Sequence, residues 1–264
     1  MRASRDGIQV IPVEVAVPAV SPEALVDSIR AAITSRTRVI AITHVTSTTG
    51  IRFPAKQVAA MARERGIWMH LDGAQSFGAL DVNLGDIGCD SYAASAHKWS
   101  MGPLEAGLLY VRAARQKELW PSIVTAGWSN TLVGARKFEV FGQRDDARLV
   151  SFESAIDFLS LMGMPKVEAR LAQLTGQLKR QFATIDGAEV RTNVDPALSG
   201  GVVKVDLPKH DLTKVYDRLW NDHRVAIAMT PAGDSRGLRF SPHVYNTTAE
   251  IDRAVEALRQ VARG

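Results

Sequence analysis

Residues 70–102, HLDGAQSFGALDVNLGDIGCDSYAASAHKWSMG, contain two short apolar runs, each of which ends on a residue capable of chemistry. The first run, IWMHLD (67–72), stops at Asp72 with Gly73 behind it. The second, SYAAS (91–95), is followed within three residues by Lys98. Apolar runs of this length, bounded by turn residues, read as buried strands. In a parallel α/β sheet ligands collect at the carboxyl ends of strands, so an acid and an amine at two successive ends are candidates for one crevice.

Working outward, the same alternation continues on both sides. Ser21-Pro22 reads as an N-cap with Pro at the first helical position, and Leu25, Ile29, Ala32 and Ile33 mark one face of the helix that follows. RVIAIT (38–43) reads as a buried strand, Pro54 opens a second helix with Val58, Met61 and Ala62 inward, and Gly66 ends it. AGLLYV (106–111) is a further strand. Past Arg112 the pattern changes to a helix near 146–162 carrying Leu149, Phe152, Ile156 and Leu159 on its inner stripe. Gly163 and Pro165 break the chain before another helix from about 166 to 182. Strand candidates at 200–206, 225–229 and 237–241 follow, then a helix opened by Thr247-Thr-Ala-Glu250, a capping-box pattern. The expected fold is α/β: a three-layer large domain with a mostly parallel sheet over 1–163, N-terminally incomplete, and a smaller C-terminal α+β domain over 164–264.

Composition narrows the function classes. With 264 residues, 46% hydrophobic and 23% charged, the chain has the make-up of a globular protein with a sizeable core. No apolar stretch approaches the roughly 20 residues that cross a bilayer, and the first residues lack an apolar signal core, so the reading is soluble and cytoplasmic. A net charge of +4 is spread along the chain without a basic run, which gives no sign of nucleic-acid or membrane binding. The single cysteine, Cys89, excludes an internal disulfide framework and any site built on several thiolates, and no metal site is expected.

From spacing alone two readings of the acid and the amine stand. Asp-Gly is a common turn signal and Lys98 an ordinary surface cation. Alternatively, a lysine that can shed its proton forms a Schiff base with an aldehyde, while a carboxylate keeps a pyridinium nitrogen protonated, the minimum equipment for pyridoxal phosphate chemistry. The sequence resembles the class V aminotransferase family, the fold-type-I pyridoxal-phosphate enzymes, in its isopenicillin N epimerase-like and cysteine desulfurase-like branches. The motif is Asp72-Gly-Ala-Gln75, then Cys89-Asp90, then Ser95-Ala-His97-Lys98.

The resemblance implies pyridoxal 5'-phosphate as cofactor and gives each residue a role. Lys98 becomes the Schiff-base lysine and proton carrier at the substrate α-carbon, and Asp72 the partner of the pyridine nitrogen. Gln75 would donate to the cofactor's phenolic oxygen, and Ser95 and His97 would bind its phosphate. THVTSTTGIRFP (43–54) is similar to the family's His-Val-Ser-Asn-x-x-Gly segment, with Ser47 where the family has an Asn that approaches cofactor and substrate. His44 in that segment reads as structural. RGLRFSPHVYNTTAEIDRAVEAL (236–258) resembles the element whose Arg grips the substrate carboxylate, a role that falls to Arg239. Arg236 reads as a solvated charge, and Tyr245-Asn246 as packing and helix initiation. Gln143 and Arg144 stand where a loop of the family reaches the partner subunit's cofactor, which implies a homodimer with the site at its interface.

Two departures qualify the implied activity. The stretch AMTPAGDSRGLRFS (228–241) lacks the loop cysteine that a desulfurase uses as nucleophile, and Cys89 reads as a buried structural thiol. The match also begins inside the family's large domain, without the portion that carries the phosphate-cradling helix N-terminus and the ring that stacks on the cofactor. A fragment or mis-started frame is therefore expected, with weak cofactor binding on its own and exposed apolar surface. The formal expectation is an aminotransferase-type enzyme acting at the α-carbon of an amino acid. An epimerase or carbon–sulfur lyase is the alternative, and a catalytically silent dimer scaffold the alternative of another class.

Overall fold

The computed structural model describes residues 5–125, 134–230 and 236–263. Four strands form the first sheet: β1 (Val39–Thr43), β2 (Trp68–Asp72), β3 (Ser91–Ser95) and β4 (Gly107–Val111), in that spatial order. β1, β2 and β3 run parallel and β4 returns antiparallel to β3. The register places Thr43 beside Asp72 and Asp72 beside Ala93, so the carboxyl ends of the three parallel strands share one edge. The class and the mostly parallel sheet agree with the sequence reading.

Helices cover this sheet for local reasons that are visible in the chain. In α1 (Pro22–Ala31) the Ser21 hydroxyl accepts the Ala24 N–H at 3.1 Å, and Leu25, Val26 and Ile29 are buried. In α2 (Ala55–Glu64) Val58, Met61 and Ala62 are buried as the spacing requires, and Gly66 takes the left-handed conformation just past the end. Both helices bury their stripes with Ile40, Met69, Leu71 and Tyr92 of the sheet in one apolar cluster. Truncating such a fully buried Leu costs about 2–5 kcal/mol. A short helix, α3 (Leu84–Ile87), leads through Gly88 into β3.

The second sheet is antiparallel throughout, in the order β5 (Glu189–Val190), β6 (Val203–Asp206), β8 (Leu238–Phe240), β7 (Ala228–Met229). Against it pack α5 (Met164–Phe182), α6 (Leu212–Asn221) and α7 (Thr248–Arg263), with Leu174, Leu178, Phe182, Leu219 and Leu258 buried among Val203, Val205, Leu238 and Phe240. The capping box forms as read: Glu250 N–H donates to Thr247 Oγ1 at 3.1 Å, and Thr247 N–H donates to the Glu250 carboxylate at 2.7 Å. A third cluster of Ala79, Trp99, Leu159, Val167, Leu171 and Val202 draws on segments adjoining both sheets.

Two expectations need correcting. In α4 (Asp146–Met162) only Phe152 and Leu159 are buried; Leu149 and Ile156 face outward. This helix carries apolar residues around its whole circumference, so periodicity does not single out a face. Pro165 does not break the chain; it sits in the first turn of α5, where its missing N–H has no intrahelical partner to lose. No helix among the described residues is long and apolar enough to cross a membrane.

Candidate active site

Asp72 closes β2, and its Oδ1 accepts the Ala74 N–H at 2.8 Å, which turns the chain sharply at Gly73. Gly73 is required there, because a Cβ would overlap the Tyr92 ring that fills the space beneath the turn. From this turn Gln75 reaches the segment that follows β3: its Oε1 accepts the indole N–H of Trp99 at 2.9 Å. The two turns also touch through their backbones. Gly78, at φ 80°, lies against Ser100, where a Cβ would come within 2.5 Å of the Ser100 nitrogen. The Ser100 hydroxyl donates to the Ala96 carbonyl at 2.7 Å and Met101 N–H donates to the Lys98 carbonyl at 3.1 Å, so Lys98 sits in a closed turn. The structure thus brings the Asp72 and Lys98 turns together.

His97 and Lys98 are exposed at this edge and Ser95 is half-buried at the end of β3. None of their side chains has a hydrogen-bond partner among the described residues. Gln75 is buried, and its Nε2 likewise has none.

The loop after β1 is held from the second sheet. Thr192 Oγ1 donates to the Thr49 carbonyl at 2.6 Å and Gly200 N–H to the Gly50 carbonyl at 2.9 Å. Gly50, at φ 70°, passes directly beneath the Val202 carbonyl and leaves no room for a Cβ. Arg239 of β8 docks on the same loop, its Nη1 donating to the Ser47 carbonyl at 3.0 Å. Its Nε is buried with no hydrogen-bond partner among the described residues. Its register neighbour Lys204 is paired with Asp206 at 2.9 Å, but Arg239 has no carboxylate within ion-pair distance among the described residues. A guanidinium fork beside a loop, with no carboxylate partner among the described residues, is suited to a carboxylate.

His44, at the head of this loop, is buried with Nδ1 unpartnered, and burial holds its imidazole neutral down to about 4. Cys89 is fully buried and its thiol is pushed up to about 11 by burial, as befits a structural cysteine. Arg236, read as solvated, is exposed and donates to Thr213 Oγ1 at 2.6 Å. Gln143 and Arg144 are exposed, the latter stacked on Phe141 at 4.2 Å, and no contact joins them to the other candidate residues among those described. Part of their loop, 126–133, lies outside the described residues, as does 231–235 of the stretch before Arg239.

Sequence reasoning missed Trp99 and His243. The Trp99 ring stacks on His243 at 5.6 Å between centroids, and a His243 ring nitrogen meets the Trp99 carbonyl at 3.1 Å. An aromatic directly after Lys98 was the available signal.

Among the described residues, the candidate groups are an amine without a hydrogen-bond partner, a carboxylate and a carboxamide donor on two touching turns, and a guanidinium docked on the loop after β1 with no carboxylate partner. They match the demands of pyridoxal phosphate with an amino acid: an aldehyde carbon, a ring nitrogen, a phenolic oxygen and a substrate carboxylate.

Comparison with known proteins agrees. The profile of the family described as Aminotransferase class-V matches residues 7–254. An isopenicillin N epimerase of Streptomyces clavuligerus is 35% identical over 243 residues, covering 86% of this chain and 61% of that protein. A second, from Amycolatopsis lactamdurans, is 32% identical over 260 residues, covering 93% of this chain and 65% of that protein. The chain therefore spans less than two thirds of these relatives' length. An apo cysteine desulfurase from Thermococcus onnurineus NA1 superposes with a TM-score of 0.85 at 20% identity, covering 99% of this chain and 68% of that one, a likeness of fold. This chain belongs to the class-V aminotransferase family, whose cofactor is pyridoxal 5'-phosphate.

Proposed function

We propose that the chain carries the working residues of a pyridoxal-phosphate enzyme that moves a proton at the α-carbon of an amino acid. The observation that supports this most is the closure of the Asp72 turn on the Lys98 turn through the Gln75–Trp99 hydrogen bond. When bound, the cofactor supplies an aldehyde for amines and a ring that delocalises the electron pair left at the α-carbon. Lys98 would hold the cofactor and, once displaced by substrate, take the α-proton on Nζ. Asp72 would keep the ring nitrogen protonated, and Gln75 would donate to the phenolic oxygen. Ser95 and His97 would take the phosphate, while Arg239 would grip the substrate carboxylate beside Ser47.

Transamination, the type expected first, and epimerisation both begin with these groups. The identity to two isopenicillin N epimerases weighs towards returning the proton to the α-carbon. Desulfuration through a thiolate of this chain is disfavoured, because Cys89 is its single cysteine and is buried. The division at Gly163, a cytoplasmic setting and a homodimer to which Gln143 and Arg144 contribute belong to the same proposal. The exposed Leu149, Val150, Phe158 and Leu161 of α4 support an association surface.

The test is spectroscopic and isotopic. Titration with pyridoxal phosphate should raise a visible absorbance band that is absent in Lys98→Ala, and incubation with amino acids in deuterated water should place deuterium at the α-carbon with inversion. Keto acid formed from added amino acid would favour transamination instead. A band that survives in Lys98→Ala would overturn the assignment.

A further inference from the structure

We propose that Trp99 is a positioning residue that fixes which end of the Gln75 carboxamide faces the site; the proposal rests on the cofactor reading above. An indole nitrogen can only donate, so the atom 2.9 Å from Trp99 Nε1 must be the carboxamide oxygen. The NH2 of Gln75 is then turned away from Trp99, and it has no partner among the described residues. Gln75 accordingly offers a donor, and not an acceptor, to whatever oxygen lies between the two turns.

The indole is itself held on several sides. Its ring rests on Gly201, where a Cβ would approach Cζ3 within 2.9 Å, and it stacks on His243 at an interplanar angle of 18°. His243 Nδ1 accepts the Val244 N–H at 2.9 Å, so Nε2 carries the hydrogen and donates to the Trp99 carbonyl at 3.1 Å. Tyr245 stacks on the outer side of His243 at 4.4 Å. Ring and backbone of residue 99 are therefore both gripped by residues 243–245, which follow β8. Replacing the indole by a ring without an N–H frees the carboxamide to rotate, presenting oxygen to oxygen in part of the population.

Three measurements test this. First, hydrogen exchange of the indole N–H lost from the spectrum in Trp99→Phe should be strongly protected in the unmodified chain and should lose protection in Gln75→Leu. Exchange as fast as that of an exposed indole overturns the proposal whether or not cofactor binds. Second, Trp99→Phe should weaken pyridoxal phosphate binding about tenfold and raise the pH midpoint of the visible band, since a lost hydrogen bond to an anionic oxygen carries that scale. Third, the same substitution in a Gln75→Ala background should add nothing to either quantity. An equal effect in both backgrounds shows that Trp99 acts by packing alone and defeats the proposal. A protected indole in a chain that raises no visible band would instead count against the cofactor reading.

Discussion

Lys179, on α5, is 4% exposed, and its Nζ donates to the Asn193 carbonyl at 2.7 Å, the Ser199 hydroxyl at 2.9 Å and the Val194 carbonyl at 3.2 Å. Lys98 stands exposed in the turn after β3 with no partner for its amine among the described residues. Burial pushes the Lys179 ammonium down to about 8, the mark that a reactive lysine often carries. Its position argues otherwise. Lys179 spends its donors tying α5 to the 193–199 segment, whereas Lys98 borders the turn that carries Asp72. A shifted acidity marks a buried charge; a role in chemistry also needs a free donor and a neighbouring acid.

The comparison breaks if the two lysines exchange roles. Lys98→Ala should lower α-proton exchange about a thousandfold, the scale of a lost general base, with little change in thermal midpoint. Lys179→Met should leave the visible band in place; a band lost in that variant would reverse the assignment.

Buried groups without partners sharpen the contrast through acid titration. The His44 imidazole ordinarily titrates at 6.5 and is held neutral to about 4 by burial, so between these values the unfolded chain binds a proton that the folded one refuses. Its contribution to stability is complete above 6.5 and falls by about 3 kcal/mol as pH drops through 4. Urea unfolding at pH 7 and pH 4 measures the loss, and His44→Phe should reduce it.

Smaller effects follow for groups that have partners. Lys179→Met leaves two carbonyls and a hydroxyl without their donor and should cost about 2 kcal/mol in urea unfolding at neutral pH. Lys179 also has a sign of its own: between about 8 and 10.5 the unfolded chain holds the proton and the folded one does not, so stability rises with pH across that window. Lys179→Met should abolish the rise. Smallest is Ser21→Ala, which removes the cap of α1 and should cost about 1 kcal/mol by thermal unfolding.

Much of the first sheet is legible in the sequence, because each strand lies in a short, mostly apolar run, and β1, β2 and β3 end on Thr43, Asp72 and Ser95. Asp72 and Lys98 could be placed from such ends. The second sheet is harder: β5 and β7 are two residues each, too short for a period of two to register. α6 went unread although Asp211 caps it, accepting the Thr213 N–H at 3.0 Å, with Val215 and Leu219 buried four residues apart. Within the site, motif spacing carries the residues on one loop but not those joined across the fold. Gln75 and Trp99 are separated by 24 residues, and Trp99 and His243 by 144, so neither contact leaves a local pattern.

The crossing of Gly50 beneath Val202 has a mechanical consequence. The loop after β1 is held from the second sheet's side by the Gly200 N–H at the Gly50 carbonyl and by Arg239 at the Ser47 carbonyl. Any displacement of the second sheet would therefore carry the loop after β1 and the Arg239 guanidinium together, while the hydrogen bond from the His44 N–H to the Asp72 carbonyl ties the same loop to the first sheet.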